Sequence, residues 1–257
     1  MKSKATRFVA WGVVLGGMAV SACSRQGSET LEAASAGPVF RAAASAGATA
    51  KVLTLTINKP TGTVAGDVMV ASVAVRPMAV VITAPEGWTL VRRMDNPMTS
   101  LKTGANNANS LAVYLRVAGA NESGSYSFTL DTSAGSVGGI LSFSGVDTAK
   151  PIDVELGQNT PYNVAHDAPS VTTTVPNTML VTSHSFRTTL PWTPPAGMTE
   201  AVDLGSDPAP GGVSLSINYG LQAGVGPTGV RTATAFGIED DTGNAYTIAL
   251  RPGSSTS

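Results

Sequence analysis

The chain has 257 residues, of which 42% are hydrophobic and 13% are charged. This hydrophobic content suffices for a packed core and argues against a disordered chain. The formal net charge of −1 gives no basic surface for nucleic acid, and a single cysteine excludes both an internal disulfide and a cysteine-rich zinc site.

The first 23 residues have the order of an export signal. A basic start at residues 2–7 is followed by the apolar run 8–20 and then by small residues. This run is shorter than the about 20 apolar residues that a membrane-spanning helix needs. The string Val20-Ser21-Ala22-Cys23 resembles the lipobox of bacterial lipoproteins. The resemblance implies removal of residues 1–22 and fatty acylation, of the palmitate kind, at Cys23. The alternative is ordinary secretory cleavage that leaves a free thiol.

Residues 23–50 are predicted to be the lipidated cysteine and a flexible tether. The segment is mostly Ala, Ser and Gly and has no apolar stripe. A short exposed helix around Leu31–Ser35 is the alternative. Ser24 follows the cysteine where many inner-membrane lipoproteins have Asp, so the resemblance implies an outer-membrane location.

Beyond Lys51 the sequence changes to short β-branched runs separated by Gly, Pro, Asn and Asp. Such runs are typical of β-strands, and no later segment has a sustained helical stripe. The predicted strands are 52–57, 67–75, 111–117, 126–130, 140–143, 179–183, 213–219, 230–234 and 245–250. The predicted fold class is therefore all-β.

Two weakly similar halves are visible, at about 51–150 and 168–252. Thr83–Thr89 matches Thr193–Thr199, and the strands on either side correspond as well. One interpretation is a single jelly-roll-like β-sandwich over residues 51–252, with each half forming one sheet. The alternative is two tandem immunoglobulin-like sandwiches. The link between the halves has no low-complexity spacer and holds a possible strand at 152–156, which favours one domain. Residues 253–257 are predicted to be a disordered tail.

The turn and core residues of this region resemble a recurrent β-sandwich module of bacterial secreted, surface and phage-tail-like proteins. The matching motifs are Gly66–Ala71, Pro85–Thr89, Ala112–Tyr114, Gly138–Ile140, Ser144–Asp147 and Pro151–Asp153. The resemblance implies an extracytoplasmic binding or structural unit. It brings no catalytic residues with it.

Catalytic chemistry has little support in the sequence. His184, on a predicted strand, and His166, in the link, are expected to be hydrogen-bonded surface residues, because no nucleophile motif surrounds any serine. A glycosidase needs two carboxyl groups about 5–10 Å apart, usually with aromatic platforms nearby. The candidates are Asp147, Asp153, Glu155, Glu200 and Asp203, but aromatic residues are only 5% of the chain.

Two binding sites can be suggested. Glu239, Asp240, Asp241 and Asn244 gather oxygen ligands in one loop, as calcium requires, although the spacing is not that of an EF-hand. A solvated hairpin turn is the alternative. Trp192 lies among prolines and is the best candidate for stacking on a glycan; its alternative is capping a core.

The sequence thus predicts a lipid-anchored envelope protein, in the outer membrane, with a non-catalytic binding, adhesion or structural role. Its partners would be the membrane, through the covalent lipid, and a glycan or protein at the cell surface. No cofactor, no enzyme activity and no nucleic-acid partner are predicted. The competing hypothesis is a carbohydrate-active hydrolase with an acid pair at one end of the sandwich.

Overall fold

The structure is a computed structural model that describes residues 37–97, 108–207, 211–236 and 241–254. Within these ranges the chain forms β-strands and no helix, so the all-β prediction is confirmed. None of the described residues belongs to a helix of the length and hydrophobicity that crossing a membrane takes.

Seven strands are described in the first half, over residues 37–97 and 108–144. They are β1 (Val39–Gly47), β2 (Val52–Asn58), β3 (Val68–Arg76), β4 (Ile82–Thr83), β5 (Thr89–Asn96), β6 (Asn109–Val117) and β7 (Ser125–Ser144). The long strand β7 pairs first with β2 and β4 and then with β1 and β3. It thereby joins a three-stranded sheet, β2-β7-β4, to a five-stranded sheet, β1-β7-β3-β6-β5.

In the second half, the residues that the structure describes form ten strands. They are β8 (Ile152–Asn163), β9 (Ala165–Ala168), β10 (Thr172–Thr173), β11 (Thr178–Phe186), β12 (Trp192–Thr193), β13 (Thr199–Ser206), β14 (Val213–Gln222), β15 (Gly226–Pro227), β16 (Arg231–Ala235) and β17 (Asp241–Leu250). They form a five-stranded sheet β8-β17-β11-β14-β13, a three-stranded sheet β9-β16-β12 and the small pair β10-β15. The strand Ile152–Leu156 predicted in the link is the start of β8.

The two halves repeat one topology. The strand order β8-β17-β11-β14-β13 reproduces β1-β7-β3-β6-β5, and β9-β16-β12 reproduces β2-β7-β4. The matching turns also agree, because Gly87 and Gly197 both have positive φ angles, of 82° and 75°. Each half therefore has two sheets of its own, rather than supplying one sheet of a shared sandwich.

The halves pack through their five-stranded sheets. Val70, Leu141 and Phe143 of the first half share one buried cluster with Val181, Leu215 and Ile248 of the second. Strand β3 is buried on both faces, because its alternate residues Met69 and Ala71 line the interior of the first half. Burial on both faces explains its almost continuous apolar sequence. The resulting molecule has four layers of sheet.

The predicted tether is shorter than expected. Residues 39–47 form β1, an edge strand paired along the second part of β7. The Phe40 ring stacks on Tyr219 at a centroid distance of 4.2 Å, and Arg41 forms an ion pair with Asp67 at 2.6 Å. Small side chains, which make the composition look like a linker, suit an edge strand held by backbone hydrogen bonds.

Two further predictions concern the two ends of the chain. The suggested helix around Leu31–Ser35 lies outside the described residues. At the other end, the backbone N–H of Gly253 donates to the carbonyl oxygen of Gly145 at 2.8 Å. The first residue of the predicted disordered tail is therefore bound to the fold.

Candidate functional site

The predicted anchor and two of the four predicted calcium ligands lie outside the described residues. Cys23, Glu239 and Asp240 are among these, and Asp241 begins β17. Asn244 is fully buried and donates from Nδ2 to Oδ1 of Asn109, 2.7 Å away in the first half. It therefore belongs to the contact between the halves. No group of three or more His, Cys, Asp or Glu side chains in the described ranges could hold a metal ion.

Trp192 is placed inside the second half. Its side chain is 5% exposed, and its Nε1 donates to Oγ of Ser214 at 3.0 Å. The ring packs edge-on against Phe186 at a centroid distance of 6.0 Å. A ligand could not stack on a ring buried in this way, so Trp192 has the core-capping role that was its alternative.

Four of the five candidate carboxylates have structural partners, and one of the four is Asp203, whose Oδ2 accepts from the backbone N–H of Trp192 at 3.0 Å. Asp147 accepts backbone hydrogen bonds from Ala149 and Lys150 and closes a turn. Asp153 is 2.9 Å from Arg251 in an ion pair. In a separate contact, Glu155 binds Arg92 through two hydrogen bonds, of 2.7 and 2.8 Å.

The last contact joins the halves. Arg92 lies on β5 of the first half and Glu155 on β8 of the second, so their paired hydrogen bonds span the interface. The two-point geometry fits guanidinium to carboxylate. The contact explains why charged residues occur on both of these edge strands.

The remaining acid pair lies on one face of β13. Glu200 is paired with Asn218 and Asp203 with Ser216 on the neighbouring strand β14, with a bulge between Glu200 and Val202. Directly paired residues share a face of the sheet, so both carboxyl groups belong to the face that is turned towards the three-stranded sheet. Burial raises the pKa of both groups, and the charge of Asp203 adds to the rise in the pKa of Glu200.

Both histidines are fully buried, which contradicts the prediction of surface residues. His184 donates from Nε2 to the carbonyl oxygen of Arg231 at 3.0 Å, and Nδ1 of His166 is 2.5 Å from Oγ1 of Thr160. Burial lowers the pKa of His166 to about 3, with help from His184, and the pKa of His184 to about 4. Both imidazoles are closed to solvent, so neither reaches an external substrate within the hydrogen-bond distance that a general base needs.

The two histidines belong to an interior that differs between the halves. Ser72 on β3 and Ser183 on β11 are equivalent positions of the two halves. Ser72 is paired with Gly139 on β7, and Ser183 is paired with Tyr246 on β17. The residue after each serine lies on the opposite face of its strand, so its side chain points into the interior of its own half. Val73 occupies this position in the first half and His184 in the second.

The replacement of an apolar residue in the first half by a polar residue in the second also occurs on the neighbouring strands. By the same register, Leu55 corresponds to His166, Tyr114 to Asn218 and Ile140 to Thr247. The first half thus encloses an apolar interior and the second a polar one. Aligning β3 with β11 residue by residue in the sequence would have revealed the difference.

Some polar atoms of this interior have no hydrogen-bond partner among the described residues. They are Nε2 of His166, Nδ1 of His184 and Oδ1 of Asn218. Buried polar atoms without partners are uncommon and carry a cost in free energy. Nε1 of Trp88, in the interior of the first half, is another such atom among the described residues.

Comparisons of the chain with protein-family models, with curated proteins and with solved structures found no match.

Proposed function

We propose that the protein is a lipid-anchored component of the cell envelope, held at the outer membrane through acyl chains on Cys23. Its double β-sandwich would have a non-catalytic binding, adhesion or structural role, with a glycan or protein partner at the cell surface. The observation that carries the proposal is the position of the one cysteine. It ends an export-type signal and precedes the described fold by the residues 24–36 alone.

The length of that connection supports anchoring close to the bilayer. The thirteen residues 24–36 could span at most about 45 Å. Since β1 begins at Val39, the fold begins directly after residues 24–36. A connection of this length holds the domain close to the membrane surface.

The contacts of the titratable residues support a non-catalytic role. Asp153 and Glu155 are held in ion pairs, Asp147 closes a turn, and His166 and His184 are fully buried. A catalytic acid or base needs to reach the substrate within hydrogen-bond distance. These five groups, which were the main catalytic candidates, are instead committed to the fold.

The anchor is tested by feeding cells an alkyne-tagged fatty acid and comparing wild type with Cys23→Ala. The wild type and the matched control Ser24→Ala should both incorporate label, because only the thiol of Cys23 can carry the acyl chains. Label on Cys23→Ala equal to that on the wild type would exclude the anchor. Protease treatment of intact cells then shows whether the domain faces outwards.

The hydrolase remains the second candidate because of one observation. Glu200 and Asp203 lie on the same face of β13, and the pKa of each is raised. A raised pKa is what a general acid requires. Release of reducing sugar from envelope polysaccharide by the wild type, lost in both Glu200→Gln and Asp203→Asn, would establish it. No release by the folded wild type would exclude it for that substrate.

A further inference from the structure

The exposed segment 221–230 of the second half has an unusual composition for a protein surface. It comprises the last two residues of β14, the connection to β16 and the short strand β15, and none of its ten residues is charged. Leu221, Val225 and Val230 in it are 57%, 59% and 55% exposed. Charged side chains normally make up a quarter or more of a soluble surface. An apolar surface without charge is typical of a region that contacts another apolar phase.

The segment is ordered, so its apolar side chains are held outwards. The backbone N–H of Thr228 donates to the carbonyl oxygen of Val171 at 2.9 Å, and that of Gly229 donates to Oγ of Ser170 at 3.1 Å. Thr228 itself is 4% exposed and faces the fold. The valines on either side of it therefore project towards solvent.

The corresponding part of the first half is built differently. The connection after β6, residues 118–124, carries Glu122, whose carboxylate is 2.9 Å from Nε of Arg116. The Tyr126 hydroxyl donates to the same carboxylate at 2.6 Å. Because the repeat topology is kept with a charged connection there, the fold does not require an uncharged one at 221–230.

The chain enters the fold beside this segment. A Cβ atom added at Gly37 would lie 3.1 Å from Cδ1 of Leu221. The backbone N–H of Asn177, next to Gly37, donates to the carbonyl oxygen of Ala223 at 3.0 Å. Val39, two residues along the chain, is 60% exposed. Gly37, the first described residue, therefore lies at the end of the molecule that bears the uncharged segment.

We propose that this end of the domain rests on the lipid bilayer, with the 221–230 segment and Val39 in contact with the membrane interface. The inference depends on the proposed anchor at Cys23, which brings the domain to the surface. Once tethered, the segment meets lipid at a high effective concentration, so a weak apolar contact is enough to orient the domain.

The orientation can be tested with the chain from Cys23 to Ser257, without cellular lipidation. The Cys23 thiol is coupled to a maleimide lipid in phosphatidylcholine vesicles that contain brominated lipid, a quencher of nearby tryptophan. Trp88 and Trp192 are only 8% and 5% exposed, so a tryptophan added at the surface gives a separable signal. Val225→Trp and Val230→Trp report on the proposed contact.

The matched control is Val81→Trp. Val81 is 55% exposed beside Asp131, close to where β7 passes between its two sheets at the other end of the strands. The added tryptophan should lose most of its emission in Val225→Trp and Val230→Trp and retain it in Val81→Trp. Equal retention in all three on vesicle-bound protein would overturn the orientation, as would equal loss in all three. Either result leaves the cellular labelling test of Cys23 unaffected, so the two proposals fail separately.

Discussion

Ser72 and Ser183 meet at the centre of the interface between the halves, with their Oγ atoms 2.7 Å apart. They occupy the same position of the repeat, on β3 and β11. A contact between equivalent residues is the mark of a two-fold interface in symmetric dimers. The two halves of this chain are therefore related to each other as the subunits of such a dimer would be.

Removing one hydroxyl from this contact should destabilise the protein. Both serines are fully buried, so Ser72→Ala leaves the hydroxyl of Ser183 without its partner, at a cost of about 1–3 kcal/mol. The double variant Ser72→Ala/Ser183→Ala should recover part of the loss. Urea unfolding measures the stability of the single and double variants. Ser127→Ala, at an exposed serine, is the control. A double variant as unstable as the sum of the single variants would contradict a direct contact.

Stability should fall in mild acid through the histidines of the second half. The pKa of His184 is lowered to about 4 and that of His166 to about 3, against about 6.5 in the unfolded chain. The unfolded state therefore takes up protons first. The contribution is complete above pH 6.5, decreases as the pH falls towards 4 to 3, and then levels off, with a total loss on the order of 3 kcal/mol for each histidine.

Single-tryptophan variants of the chain from Cys23 to Ser257, which does not include Trp11, can assign this loss to one half. Trp192 packs on the His166 ring, whereas Trp88 packs on Tyr126 in the first half. Trp88→Phe leaves a reporter of the second half, and Trp192→Phe leaves a reporter of the first. His184→Val, which introduces the residue of the first half, should reduce the pH dependence. An unfolding transition independent of pH between 7 and 4 in Trp88→Phe would rule the mechanism out.

The ion pair of Asp153 with Arg251 should matter more than a surface pair. The Asp153 side chain is fully buried and also accepts hydrogen bonds from Thr174. Asp153→Ala should cost about 3 kcal/mol, because it leaves the partner cation and Thr174 without their acceptor. The control Asp95→Ala removes the half-exposed pair with Arg93 and should cost about 1 kcal/mol or less. Equal costs in chemical unfolding would contradict this ranking.

The start of the fold can be located by alanine substitution. Phe40→Ala removes a ring that stacks on Tyr219 and meets Phe143 edge-on, so it should destabilise the protein by about 2–3 kcal/mol. Leu31→Ala, in the predicted leash, should have no effect. A melting temperature unchanged in Phe40→Ala would show that β1 is not part of the stable fold.

Alternating apolar residues predicted most of the interior strands correctly. Strand β3 was recognisable because burial on both faces makes it apolar throughout. Strands β1 and β5 were missed for opposite reasons. The first consists of small residues that resemble a linker, and the second carries Arg92, whose charge is paired with Glu155 in the other half. No local pattern contains that partner.

The candidate site residues also depend on partners that are distant in the sequence. Trp192 among prolines suggested an exposed ring, but the partner that keeps it inside is Ser214, on a strand further along the chain. His184 alternates with other strand residues as a surface residue would. Its burial depends on β9 and β16, which cover that face of the second half. Only the comparison of the two halves in register could have predicted it.

The chemical state of Cys23 decides most directly whether the protein is anchored as proposed. The measurement that tests it is the intact mass of the protein purified from cell membranes. We predict a chain that begins at Cys23 and carries fatty acyl groups on that residue. A chain that retains residues 1–22, or one that begins elsewhere with no acyl group, would contradict the account.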